Sequence, residues 1–175
     1  MKRVILALSA LSSLAFSSGI PVTLERSAEV AEVIGSARTR ILVLAPSLRG
    51  RAVADALRKA LVEGGVHVSI LCDANLITER SSFVPMLSVL GTRKLPVEVR
   101  LLRDVTRAAL IVDESRTVFG SLIAAPESFG LQPTRLVNDE TEARVQAQLF
   151  AAQWQRATPW SYRITPARFT NGGQK

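Results

Sequence analysis

The chain of 175 residues carries one histidine, His67, and one cysteine, Cys72, so the side chains best suited to nucleophilic, proton-transfer and metal-binding work are scarce. A zinc site of Cys and His ligands within one chain, an intrachain disulfide, and any step needing two imidazoles from one subunit are excluded. What remains is hydroxyl, carboxylate and guanidinium chemistry. Gly120 and Ser121 end one arm of a hairpin, where the Ser121 hydroxyl can donate to a phosphate oxygen, although Gly-Ser also simply ends a strand. Asp113 opens the Asp-Glu-Ser turn of the same hairpin, and both a turn role and a pocket role are open to it. The 22 Lys and Arg residues against 15 Asp and Glu give a formal charge of +7. Most of the cations are Arg, which suits bidentate contact with phosphate on nucleic acid or anionic lipid, though a solvated basic surface has the same composition.

These residues need elements to hold them, and hydrophobic spacing supplies a sequence of such elements. Ser27 to Arg38 places Val30, Val33, Ile34 and Ala37 on one helical stripe, with Ser27 as candidate N-cap. Ile41 to Ala45 is a continuous apolar run stopped by Pro46, as in a strand covered on both faces. A second helix, Arg51 to Glu63, ends at Gly64 and Gly65, and Val66 to Leu71 follows as a strand, completing a βαβ unit. His67 lies on the face of that strand opposite Val66, Val68 and Ile70, which predicts a solvent-facing or packed structural histidine rather than a relocated base. Phe83, Met86, Leu87 and Leu90 suggest a short helix before Gly91. Val97 to Leu102 and the hairpin Ala108 to Val112 with Thr117 to Phe119 add strands. Ala125 to Asn138, with two prolines and a glycine, is expected to be a loop. Asp139 with Glu142 three residues on forms a capping box for a last helix, whose Ala143, Ala147, Phe150 and Trp154 are widened by Val145, Leu149 and Ala152 into a deeply packed face.

At the N-terminus, Lys2 and Arg3 precede an apolar stretch from Val4 to Phe16, the pattern of a secretory signal over residues 1–17, with Ala15 and Ser17 at the small-residue positions before Ser18. Removal of that segment subtracts two positive charges, leaving 20 against 15, a formal +5. The stretch is short for a bilayer span, and no second long apolar run follows. A domain over residues 22–160 and a tail over 161–175 complete the organisation, with the tail ordered only near Trp160 and Tyr162. An exported, periplasmic or secreted protein with a buried Cys72 is the expectation.

The order of these elements, with ARTRILVLAP after the opening helix, RAVADALRKALVEGGVHVSIL, the hairpin ALIVDESRTVFGS and the closing FAAQWQRATP, resembles the small exported single-domain members of the phospholipase D superfamily, the type that includes periplasmic endonucleases. The resemblance implies an α/β fold with a mixed β-sheet flanked by helices. The family motif is HxKxxxxD followed by six residues and GSxN. Aligned on Asp113, it places Gly120 and Ser121 at the motif spacing. It also places Thr106 at the family's His, Ala108 at its Lys and Ile123 at its Asn.

In the family, as the resemblance implies, the motif His attacks phosphorus, a second His protonates the leaving oxygen, and Lys neutralises the phosphate. Thr106 is a poor nucleophile without an adjacent base, and Ala108 carries no charge. Arg107 is the nearest cation and a candidate phosphate ligand with Gly120 and Ser121, but strand alternation would turn it away from a pocket that positions 106 and 108 face. Thr106, Asp113 and Ser121 are the remnant catalytic positions. Relatives of this type form their site between two copies, and a homodimer of this chain would still lack the motif His.

The expectation is therefore an exported phospholipase D-like domain without phosphodiesterase activity, acting as a binding or interaction module. Two alternatives stand beside it: an active nuclease or phospholipase with a non-standard site, and a nucleic-acid-binding protein. Its partners would be a phosphodiester, nucleic acid or anionic phospholipid, and a second copy of itself. No cofactor and no metal is expected, and no membrane span after the leader.

Overall fold

A computed structural model describes residues 19–126, 128 and 133–162; the leader over 1–17 and most of the tail lie outside the described residues. The chain runs β1 (Val22–Leu24), α1 (Ser27–Gly35), β2 (Arg40–Ala45), α2 (Arg51–Val62), β3 (His67–Asp73), α3 (Val84–Thr92), β4 (Val97–Leu102), β5 (Ala109–Val112), β6 (Arg116–Phe119), a 3₁₀ turn (Ser121–Ile123), β7 (Thr134–Val137), α4 (Glu140–Arg156) and β8 (Thr158–Trp160). The strands form one mixed sheet in the order β1-β7-β6-β5-β2-β3-β4-β8. β2, β3 and β4 are parallel, as the βαβ spacing requires, and β5 returns antiparallel beside β2.

Strand alternation divides the core in two. Ile41 and Val43 of β2, Leu110 and Val112 of β5 and Val118 of β6 pack with Val30 and Ile34 of α1, Leu57 and Leu61 of α2 and Leu87 of α3. Leu42, Leu71 and Ile111 point to the opposite face, where Ala143, Ala147 and Phe150 of α4 cover them. Three helices therefore cover one face of the sheet and one helix covers part of the other. A single helix is too narrow to cover eight strands.

The first helix begins one residue earlier than its expected cap. Arg26 is the N-cap, Ser27 is buried as the first helical residue, and the Glu29 carboxylate accepts from the N–H groups of Glu25 at 2.8 Å and Arg26 at 3.3 Å. Asp139 does cap α4, accepting from Thr141 N–H at 2.8 Å and Glu142 N–H at 3.0 Å. Glu142 instead accepts from the Gln146 side-chain amide four residues on, so the cap is one-sided. The broad face expected of α4 is narrower than its composition suggests: Val145 and Leu149 are 45% and 53% exposed, and Ala152 is exposed too. The segment expected to be a loop before α4 contains β7, which pairs with β6 and β1.

Cys72 is buried at the end of β3. Burial, and then the neighbouring Asp73 carboxylate, push its thiol up to about 12, so it packs as a small apolar group. No described helix is long and apolar enough to cross a membrane.

Candidate functional site

The uncovered part of the α4 face forms a cleft of about 780 Å³ at the edge of the sheet where β2 ends and β5 begins. Its floor is set by register: Leu44, Ala109, Phe119 and Arg135 are successive cross-strand partners through β2, β5, β6 and β7, so their side chains share one face. Thr106, Arg107 and Ala108 form one rim, and Gly120, Ser121 and Pro133 another. Gln146, Leu149, Phe150 and Gln153, at the i, i+3, i+4, i+7 positions of α4, form the wall above.

Two hydrogen bonds position the rims. The Gly120 N–H donates to the Ala108 carbonyl at 3.2 Å, and the Val105 N–H donates to the buried Asp73 carboxylate at 2.9 Å. Asp73 thus holds the segment that carries Thr106 to Ala108. Backbone at residues 103–108 is irregular, and β5 begins only at Ala109. Strand alternation consequently does not govern Arg107, and Arg107 lines the cleft alongside Thr106 and Ala108.

Gly120 has no substitute at its position. Its φ is +132°, and a β-carbon there would lie 2.5 Å from the Thr134 Cα and 2.7 Å from the Pro133 carbonyl oxygen. This close approach lets the Thr134 hydroxyl accept from Leu122 N–H at 3.1 Å and starts the 3₁₀ turn with Ser121 at the cleft edge.

Asp113 lies elsewhere. It follows β5 at the end away from the cleft, about 13 Å along the strand. Its carboxylate accepts from the N–H groups of Arg38 (2.8 Å), Thr39 (2.9 Å) and Arg40 (3.0 Å) and from the Thr39 hydroxyl (2.7 Å). The geometry assigns it the turn role of the two open to it. Asp113 and Glu114 both adopt left-handed backbone, φ 50° and 51°, with the Ser115 N–H donating to the Val112 carbonyl, the arrangement of a type I′ hairpin turn. Glu114 also forms an ion pair with Arg40.

Burial raises the pKa of Asp113, but the hydrogen bonds from Arg40, Thr39 and Arg38 outweigh it and hold the carboxyl at about 2, below its ordinary 3.8. A depressed folded-state pKa gives stability that is present above pH ~4 and lost as pH falls toward 2. With screening at this half-buried site, Asp113→Asn should cost ~1 kcal/mol at pH 7. Chemical denaturation at pH 7 and pH 2 checks this: the two proteins should converge at the lower pH, and an equal gap at both would refute the linkage.

His67 is exposed at the start of β3, paired in register with Arg40 at the opposite sheet edge from the cleft. The six residues of β2 separate the two edges, about 16 Å. No imidazole reaches the cleft from the described residues. Among the described residues, the charged ones lining it are Arg107 and Arg135, and no carboxylate lines it. Arg135, Phe119, Gln146, Gln153 and Asp73 escaped sequence reasoning. A polar stripe at helical spacing, Gln146 to Gln153, was the one local signal for any of them.

The solved structures with this arrangement of elements include Nuc from Salmonella typhimurium, a phospholipase D family member. It matches with a TM-score of 0.68 and 21% identity, over 81% of this chain and 99% of that one. The fold is that of the phospholipase D superfamily. NucT from Helicobacter pylori matches this phospholipase D fold with a TM-score of 0.64 and 17% identity, over 81% of this chain and 98% of that one. TrmBL2, an archaeal chromatin protein described with a novel mode of DNA binding, matches at 0.62 and 19% identity, over 86% of this chain. This chain spans 57% of the length of TrmBL2. No family model and no curated protein matches the sequence.

Within the phospholipase D fold, the motif positions divide cleanly. Thr106, Ala108, Gly120 and Ser121 meet at the cleft, whereas Asp113 serves the far turn.

Proposed function

We propose that this phospholipase D-fold domain is an exported phosphodiester-binding protein that does not break the bond it binds. The observation that carries this reading is the content of the cleft: the guanidinium groups of Arg107 and Arg135 line it together with Thr106 and Ala108, and His67 lies at the other end of the strands. An alcohol attacks phosphorus only when a base takes its proton, and departure of the alkoxide requires an acid. Neither partner is found among the described residues that line the cleft. Arg side chains bind phosphate oxygens through paired, charge-assisted hydrogen bonds, which holds the ground state without lowering the barrier selectively. A homodimer of this chain would carry Thr106 at the motif His position in both copies, so it would still contain no motif His.

Nucleic acid is the preferred partner. The net charge of the chain is positive, and the structural neighbours include a chromatin protein described with DNA binding. Fluorescence anisotropy with a labelled single-stranded oligonucleotide tests this. Log affinity should fall with log salt with a slope of about −1.4 if two phosphates are neutralised. Binding that ignores salt, or absent binding, would reject it. Export rests on Lys2, Arg3 and the apolar run to Phe16. N-terminal sequencing of the exported protein should begin at Ser18, and an intact Met1 would contradict cleavage.

A further inference from the structure

We infer that the cleft takes one unpaired nucleotide of a single strand, its two flanking phosphates on Arg107 and Arg135 and its base against Phe119 beneath α4, an inference that rests on the phosphate-binding role proposed above. Three features of the cleft carry it. First, the cations are confined to Arg107 and Arg135 among its described lining residues. Phe119, Ile111, Leu149 and Phe150 line it as well, an apolar surface that a free phosphate would leave unused.

Second, Phe119 and Arg135 are cross-strand partners in the β6–β7 register, so a ring and a guanidinium stand side by side on one face. A ligand that joins a planar ring to a phosphate through a short sugar matches that pairing. Third, the Gln153 side-chain oxygen is buried and has no hydrogen-bond donor among the described residues, and Gln153 lines the same cleft.

The third feature decides between ligand classes. A buried acceptor calls for an N–H or O–H donor. Every nucleobase offers an N–H on its edge, whereas the acyl chain of an anionic lipid offers none. A duplex keeps its base edges paired and stacked and can present only phosphates to the rim. The volume of about 780 Å³ lies in the range of sites that enclose a small ligand.

The test is anisotropy on the purified full-length chain with three probes of equal length: a single-stranded hexadeoxycytidine, its abasic counterpart and the corresponding duplex. The single strand should bind about tenfold more tightly than the abasic strand, the scale of one stacked base. Gln153→Leu and, separately, Phe119→Leu should each bring that ratio close to one. Equal affinity of the unmodified protein for the single-stranded and abasic probes would overturn the base site while leaving the phosphate role standing. Failure of all three probes to bind would sink the phosphate role itself. Tighter association with phosphatidylglycerol vesicles than with any oligonucleotide would overturn the base assignment in favour of lipid.

Discussion

Replacing both Arg107 and Arg135 with alanine should weaken oligonucleotide binding by about 100-fold at moderate salt, since one charge-assisted hydrogen-bonded contact is worth about tenfold or more. Each single variant should lose about tenfold and lower the salt slope by about 0.7, because one fewer counterion is displaced from a single strand. The two guanidiniums come from different elements, Arg107 from the rim that precedes β5 and Arg135 from the floor in β7. They contact the same cleft without sharing an element, so their losses should be close to additive if they hold different oxygens and less than additive if they clamp one phosphate. Full affinity in the double variant would mean that the positive charge acts somewhere else on the surface. Because neither side chain belongs to the buried core, thermal stability should barely move, which separates lost binding from lost folding.

Gly120→Ala should be the most damaging single methyl in the domain. Its backbone φ of +132° is open to glycine and costs other residues about 1–3 kcal/mol. The added carbon would also meet the Thr134 Cα at 2.5 Å, a backbone atom that cannot swing aside as a flexible side chain does. Together these should remove about 3 kcal/mol or more, lowering the melting temperature by roughly 10 °C in a domain of this size. Relief of the clash must push β6 and β7 apart and move Phe119 and Arg135, so binding should fall as well. Gly35→Ala is the matched control. It lies at the end of α1 with nothing within 4 Å of a new β-carbon, and should be neutral or stabilising by about 0.5 kcal/mol. A melting temperature for Gly120→Ala equal to that of Gly35→Ala would contradict the close approach of Gly120 to Thr134.

The contrast between Gly120 and Asp113 shows which parts of the site were legible in the sequence. Both stand at motif spacing, and spacing alone leaves their roles equal. The register of the hairpin separates them, because the length of β5 carries Asp113 to the far edge while Gly120 returns beside Ala108. The elements with strong periodicity were readable: the βαβ unit through β2, α2 and β3, the hairpin, and α4 with its Asp139 cap. β1 and β8 were not, since three-residue strands are too short to show alternation. β7 was hidden behind Pro133 in a segment whose glycine and prolines spoke for a loop.

The floor of the cleft was out of reach for a different reason. Phe119 and Arg135 lie 16 residues apart in sequence and meet only through strand pairing. No basic-aromatic interleaving announces them along the chain. Arg107 illustrates the reverse case: alternation turned it away from the cleft, but alternation applies only inside a strand, and the strand starts two residues later. In α4, Leu149 belongs to the apolar pattern and yet faces the cleft. Helical spacing defines which residues share a face but not whether a sheet lies across from all of it.

The claim underneath all of this is that the phospholipase D fold here binds phosphodiester without cutting it. Single-turnover incubation of excess protein with end-labelled single- and double-stranded DNA, followed by product analysis and intact-mass measurement of the protein, tests it most directly. The account predicts intact DNA and an unmodified chain at all times. Time-dependent cleavage that is abolished by Thr106→Ala, or a phosphoryl adduct on the protein, would contradict it.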